Sequence, residues 1–376
     1  MKALVVGGTG STGPFIIDGL LKRGYEVAML HRGLHEAKLP SDVEHLHADP
    51  HWMEGLKEAL EGRSFDLVVA IYGRLRLVAE AIKGRTPRLI SVGGALAVYK
   101  GWLRVTESVP WQRMEDSPVP VKEDDVLATA PGVDHFSERV REAERVVMQA
   151  HQEGHYNATH FRYPVVYGPR HLASPEWSII RRIREGRRQL IVPGGGMTLL
   201  SRGFGENIAH GIMLAVDDPA ASAGQIYNIS DERILTNREW IRLIERVMDH
   251  EFEFIEIPFN MLHTDYSDAQ PPALLFQYHR VMDITKIKTQ LGYQDAVPVE
   301  KAIEQTVRWY LENPLPPGGE VERNVGDPFD YATEDRLIQT YKTAAEQLRE
   351  QFWQVPRPEV LWRHPYPHPK KPGDLR

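Results

Sequence analysis

Seven residues near the start, Gly7-Gly8-Thr9-Gly10-Ser11-Thr12-Gly13, constrain the fold more than any other stretch. An apolar run at 2–6 precedes them, and residues 15–23 follow with apolar side chains at helical period. The glycines fit both G-x-G-x-x-G (8, 10, 13) and G-x-x-G-x-x-G (7, 10, 13). Glycine permits the tight turn and lets the backbone approach a pyrophosphate. The helix behind it offers unpaired N–H groups and the positive end of its dipole. Strand, glycine turn and helix in this order predict a dinucleotide site built on Gly7, Gly10, Ser11, Thr12 and Gly13.

The rest of the first half repeats the alternation. Strand-like runs at 26–30, 43–47, 65–71, 88–92 and 158–162 are separated by helix-like segments at 52–60, 77–83 and 134–147. The strands read as continuous apolar runs, as expected for parallel strands covered on both faces. The predicted class is therefore α/β, a doubly wound parallel sheet. The second half is less regular, with helices predicted at 177–185, 204–216, 237–248, 285–291 and 299–312 and strands at 225–229 and 252–257. It suits a smaller substrate lobe. We expect a dinucleotide-binding domain over 1–165, to which segments around 200–230 return, and a substrate lobe over 166–313. An extension over 314–376 opens with the linker-like PLPPGG, continues with a helix at 333–352, and ends in a proline-rich arm that cannot be helical.

Bulk properties exclude several classes. The chain has 376 residues, a formal net charge of -7 and no cysteine. There is no basic excess to advertise nucleic-acid binding, and no thiolate metal site, disulfide framework or cysteine nucleophile. The start, MKALVVGG, lacks a signal-peptide layout, and no stretch is apolar enough to span a bilayer. A cytoplasmic protein acting on a small molecule is expected, with no membrane or nucleic-acid partner.

The second strand runs into Ala28-Met29-Leu30-His31-Arg32-Gly33. An NAD-selective site usually places Asp or Glu here to accept from the ribose 2′-hydroxyl. His31 and Arg32 stand there instead, and arginine can hold a 2′-phosphate in bidentate fashion, so NADP is favoured over NAD. Asp49, after the third strand, is an adenine-side contact or a turn residue. His45, His47 and His51 cluster nearby, and His45 and His47 share a strand face. No matching carboxylate spacing accompanies them, nor His364 and His368 in the tail, and no metal site is expected.

These motifs, with FDLVVAIYG (65–73), ISVGGALAVYKG (90–101), FRYPVVYGPR (161–170), QIYNISD (225–231) and DITKIKTQLGYQD (283–295), resemble the extended short-chain dehydrogenase/reductases of the NAD(P)-dependent epimerase/dehydratase group. The resemblance runs from about residue 2 to 313. It implies a Rossmann lobe, a substrate lobe and reaction at a nicotinamide between them. It also implies a Ser or Thr, a Tyr and a Lys as the reactive side chains. In the register that keeps Glu144 matched, those positions fall on Ala95, Phe136 and Val140. A register shifted by one offers His135 and Arg139, but it loses the Glu144 match and turns the apolar stripe by roughly 100°.

Hydride transfer to a carbonyl leaves an alkoxide that needs a proton. Phe136 and Val140 cannot give it. The candidates are His135, which titrates near neutral pH, Tyr99 in the V-Y-K turn, and Tyr72 after the fourth strand. By resemblance, Pro164 and Val165 lie beside the nicotinamide, and Arg202 matches a position that grips a nucleotide-sugar phosphate. Related proteins dimerise through the helix at 134–147 and the one before it, so a homodimer is expected. The other reading is a degenerate NAD(P)-binding regulator or scaffold.

Overall fold

The computed structural model describes residues 1–34, 39–71, 73–102, 117–128, 135–262, 274 and 278–357, and at 96, 135 and 136 the backbone alone. It divides into two compact units, Met1–Asp330 and Tyr331–Arg376.

The core of the first unit is a seven-stranded parallel sheet. Its strands include β1 (Lys2–Val6), β2 (Glu26–His31), β3 (Glu44–His47), β4 (Leu67–Ala70), β5 (Arg88–Gly94) and β6 (Asn157–Tyr163). The seventh, Gln225–Asn228, closes one edge, and the order across the sheet is Gln225–Asn228, β6, β5, β4, β1, β2, β3. The apolar runs do what their composition requires. In β1, Ala3 and Val5 face one core cluster while Leu4 and Val6 face another. The first cluster includes Ile16, Ile17 and Leu20 of α1 (Gly13–Lys22), none of them accessible to solvent. Each such side chain stabilises the fold by about 1.5–3 kcal/mol. The opposite face is covered by α2 (Met53–Ala59), α3 (Leu75–Ala81) and α4 (His135–Gln152), through Leu56, Val78, Ala143, Val147 and Ala150. The strand order reverses between β1 and β4, and ligands of such sheets bind at that switch point, beyond the carboxyl ends of the strands.

α4 runs five residues past its predicted end, because Ala150 continues the buried stripe of Ala143 and Val147. Beyond the sheet, the helices Pro175–Arg184, Asn237–Met248 and Val299–Glu312 pack Trp177, Trp240, Ile244, Ile303 and Tyr310 into a second core. Thr236 caps Asn237–Met248 in a reciprocal pair with Glu239. The first unit continues past PLPPGG. A short helix, Glu320–Val325, follows, and the fully buried Arg182 pairs with Asp327 at 2.6 Å. Glu320–Val325 was not predicted, since six residues give no helical period to read. The second unit contains the helix Tyr331–Gln354, which exposes Leu348, Phe352 and Trp353. The arm beyond 357 lies outside the described residues.

Candidate active site

The glycine loop connects β1 to α1 at the switch point. Gly7 and Gly8 take φ of 96° and 120°, backbone that favours glycine. Gly13 serves a different need: a Cβ there would meet the Gly8 backbone at 2.2 Å. The loop therefore closes only if position 13 is bare. A Cβ on Gly205 would likewise meet the Ser11 carbonyl oxygen at 2.3 Å, so a second helix N-terminus abuts the loop. Thr12 stands at the N-cap of α1 without making a side-chain cap, and Pro14 follows at the first turn. The Ser11 hydroxyl is buried and has no partner among the described residues. Uncapped N–H groups beside an orphaned hydroxyl fit a phosphate.

A cleft opens over this loop, lined by Gly7, Gly8, Gly10, Thr12, His31 and Arg32, with Leu172 across from them. A larger hollow, about 1020 Å³, lies at the amino ends of the strands, beside Lys2, Glu26 and Asp66. It has no glycine loop and sits at the wrong ends of the strands for ligand binding. On the ribose side, His31 is buried and Arg32 exposed. Asp49 accepts from the His51 backbone N–H at 3.0 Å and pairs with its ring at 2.7 Å. Burial raises the Asp49 pKa, but the His51 bonds and the nearby charges of His51 and Arg32 outweigh it, so the group is held below its usual range.

On the other side of the cleft, β5 and β6 end with Gly94 opposite Tyr163. Pro164 is buried and packs where a Cβ on Gly203 would meet it at 2.9 Å, and Val165 pairs with Arg202 in a short parallel ladder. The Tyr163 hydroxyl is buried beside Thr12. Burial raises its pKa. Sequence reasoning missed this residue; the available signal was a polar aromatic at the end of a strand. Ala95, wholly buried, and Val140 belong to one apolar cluster with Val98, Tyr99 and Trp102.

Tyr99 is also fully buried. Its hydroxyl donates to Asn228 Oδ1 and accepts from Arg162 Nη1 at 2.9 Å, and burial pushes its pKa up to about 12. Arg162 meets Glu144 in bidentate fashion, both bonds at 2.8 Å. Burial raises the Glu144 pKa, yet the Arg162 hydrogen bonds and the charges of His160 and Arg162 bring it below the usual range. His160 sits between Ser91 Oγ, at 2.8 Å from Nδ1, and Glu144, at 3.4 Å from Nε2; burial lowers its pKa to about 4. A charged residue within a strand-like run, Arg162, was the sequence signal for this network.

The remaining candidates disperse. Tyr72 lies outside the described residues, and His135 opens α4 with only its backbone described. Arg202 is buried, donates to Asn237 at 2.6 Å and stacks on Trp240 at 4.8 Å; burial lowers its pKa to about 10. Among the described residues, no helix is long and apolar enough to cross a membrane.

Residues 114–230 match the model of the NAD dependent epimerase/dehydratase family. The mouse sterol-4-alpha-carboxylate 3-dehydrogenase, decarboxylating, is 22% identical over 352 residues, 82% of this chain and 90% of that one. Two other curated relatives are matched over only 47% and 42% of their length. Among solved structures, the UDP-glucose 4-epimerase of Thermotoga maritima with UDP-glucose superposes with a TM-score of 0.66 at 16% identity, covering 83% of this chain and 99% of that one. The UDP-glucuronic acid 4-epimerase of Bacillus cereus in complex with NAD gives 0.63 at 18% identity, over 83% and 99%. Over residues 114–230 the chain is similar to the NAD dependent epimerase/dehydratase family, and these solved structures share its fold.

Proposed function

We propose that the chain binds a nicotinamide dinucleotide, NADP(H) before NAD(H), and acts as a reductase, epimerase or dehydratase on a small hydroxy, carbonyl or sugar-type substrate. One observation carries this reading: the loop closes against Gly13 and leaves an uncapped helix N-terminus beside the Ser11 hydroxyl, which has no partner among the described residues. Gly7, Gly10, Ser11, Thr12 and Gly13 hold the pyrophosphate. His31 and Arg32 hold the adenine ribose with its 2′-phosphate, and Asp49 lies on the adenine side. Pro164 and Val165 border the nicotinamide. The bound dinucleotide supplies hydride chemistry; the chain supplies orientation and the proton.

With Ala95, Phe136 and Val140 at the positions of the family's reactive groups, the proton comes from a non-standard donor. His135 is our assignment. Tyr99, enclosed and doubly bonded, is a poorer donor on physical grounds, and Tyr72 is the further candidate. The apolar cluster holding Ala95 and Val140 favours one second reading, a dinucleotide-binding regulator without turnover. We also infer a homodimer joined through α3 and α4.

Fluorescence titration of the purified protein with NADPH and NADH tests the first reading. We expect saturable binding, tighter for NADPH, and its loss in Gly13→Val, where the added side chain meets backbone. Absence of binding for both nucleotides overturns it. His135→Ala should lower turnover by roughly 10²–10⁴-fold, and unchanged turnover would sink that assignment. Binding without oxidation or reduction of the nucleotide across carbonyl and sugar substrates favours the regulator.

A further inference from the structure

We propose that His31, His45 and His47 form a binding site for a late first-row divalent cation, Zn²⁺ being the simplest, at the open edge of the parallel sheet. The register of β2 and β3 sets Met29 opposite His45 and His31 opposite His47. Side chains two apart share a strand face, so three imidazoles gather on one face of neighbouring strands. One ring nitrogen from each lies within 4.8 Å of the others. The rings of His45 and His47 stand 5.0 and 4.8 Å from that of His31, tilted by 73° and 70°. Steep mutual tilts let nitrogens converge on a point, which stacked rings cannot do.

The site combines a fixed member with two movable ones. His31 is buried, while His45 and His47 are exposed on β3, the edge strand of the sheet, where an ion can enter from solvent. Zinc–nitrogen bonds of about 2.0–2.1 Å put ligand nitrogens roughly 3.3 Å apart on a tetrahedron. His31 Nε2 and His45 Nδ1 are already 3.0 Å apart. The remaining closure is within reach of two exposed side chains.

The contact also shows what the ion would replace. Gly33 donates its N–H to His31 Nδ1 at 3.2 Å, so a neutral His31 carries its proton on Nε2, directed at His45 Nδ1. A cation takes the place of that proton, which moves to His31 Nδ1 so that the ring stays neutral. The Gly33 peptide must then turn its N–H away, which a glycine at φ 74° in an exposed turn can do. An all-imidazole set suits zinc, nickel or copper rather than magnesium or calcium. Three protein ligands leave a fourth position open. His51, expected from sequence to belong to this cluster, is held by Asp49 instead. His31 is shared with the proposed ribose contact, but the ion site requires no dinucleotide, so zinc binding by the free protein tests it apart from the proposed function.

Equilibrium dialysis of the full chain against micromolar Zn²⁺, with bound metal measured by atomic absorption, tests it. We expect one ion per chain. The double variant His45→Asn/His47→Asn should bind roughly tenfold or more weakly with an unchanged circular dichroism spectrum. His364→Asn/His368→Asn in the tail should bind as the parent does. No bound zinc in the parent overturns the proposal. So does an undiminished equivalent in His45→Asn/His47→Asn, or its loss in the tail variant.

Discussion

The glycine loop and the wall formed by α4, β5 and β6 stand at the same ends of the strands and are built on opposite principles. The loop leaves polar groups unanswered: among the described residues Ser11 Oγ lacks a partner, and Thr12 makes no side-chain cap. In the wall, Arg162 bonds both Glu144 and Tyr99, and Tyr99 bonds Asn228, while among the described residues His160 Nε2 and Trp102 Nε1 lack a hydrogen-bond partner. Buried polar groups are ordinarily satisfied, and an unsatisfied one costs about 1–3 kcal/mol. A loop that bears this cost is arranged for something that binds there. The bonded wall residues Tyr99, Arg162 and Glu144 are arranged to stay in place.

Four substitutions can break that contrast. The largest effect is expected from Glu144→Ala, which strands Arg162 and His160 in the interior. Removing one partner of a buried pair costs about 3–5 kcal/mol. At roughly 2–4 °C per kcal/mol for a large domain, calorimetry should show Tm lower by about 10 °C. A Tm within a degree of the parent would mean that the network does not hold the wall.

Next comes the pH dependence that His160 imposes. Its folded pKa, about 4, is below its ordinary value of 6.5, with burial as the main cause and Glu144 and Arg162 as its charged neighbours. The unfolded chain therefore binds more protons between those values, so this group's contribution is full above 6.5 and is lost as pH falls toward 4. The loss amounts to about 3 kcal/mol. Urea unfolding at pH 7 and pH 4.5 should show a smaller drop in His160→Gln than in the parent. Equal drops would place the acid sensitivity elsewhere.

The last two variants oppose each other directly. Tyr99→Phe leaves Asn228 Oδ1 and one Arg162 donor unpaired, and should cost about 1–3 kcal/mol in urea unfolding with dinucleotide affinity unchanged. Full stability combined with lost turnover would instead put Tyr99 in the chemistry. Ser11→Ala has the smallest expected effect. The free protein keeps its stability or gains a few tenths of a kcal/mol, while dinucleotide binding weakens by about 3–10-fold, the worth of one hydrogen bond. If Ser11→Ala destabilises the free protein as Tyr99→Phe does, the two regions are not different in kind.

Much of the architecture was legible in the chain. Asn237–Met248, Thr285–Leu291 and Val299–Glu312 have the predicted bounds, since each carries an apolar stripe with start and stop signals at its ends. The parallel sheet followed from apolar strands alternating with amphipathic helices, and the loop from glycines between a strand and a helix. These are local signals, spaced by the helix and strand periods. The site was legible only where it is local too: five residues of one turn fall within seven consecutive positions.

What depends on two distant segments meeting was not written in either. The pairing of β2 with β3 decides that His31, rather than His51, stands with His45 and His47. The burial of Tyr99 against Arg162 and Asn228 turns a reactive phenol into a structural bond, although its neighbours in sequence do not forecast it. Periodicity determines which face of an element turns inward. Only tertiary packing determines which side chain it meets there, because that depends on register and crossover between segments far apart in the chain.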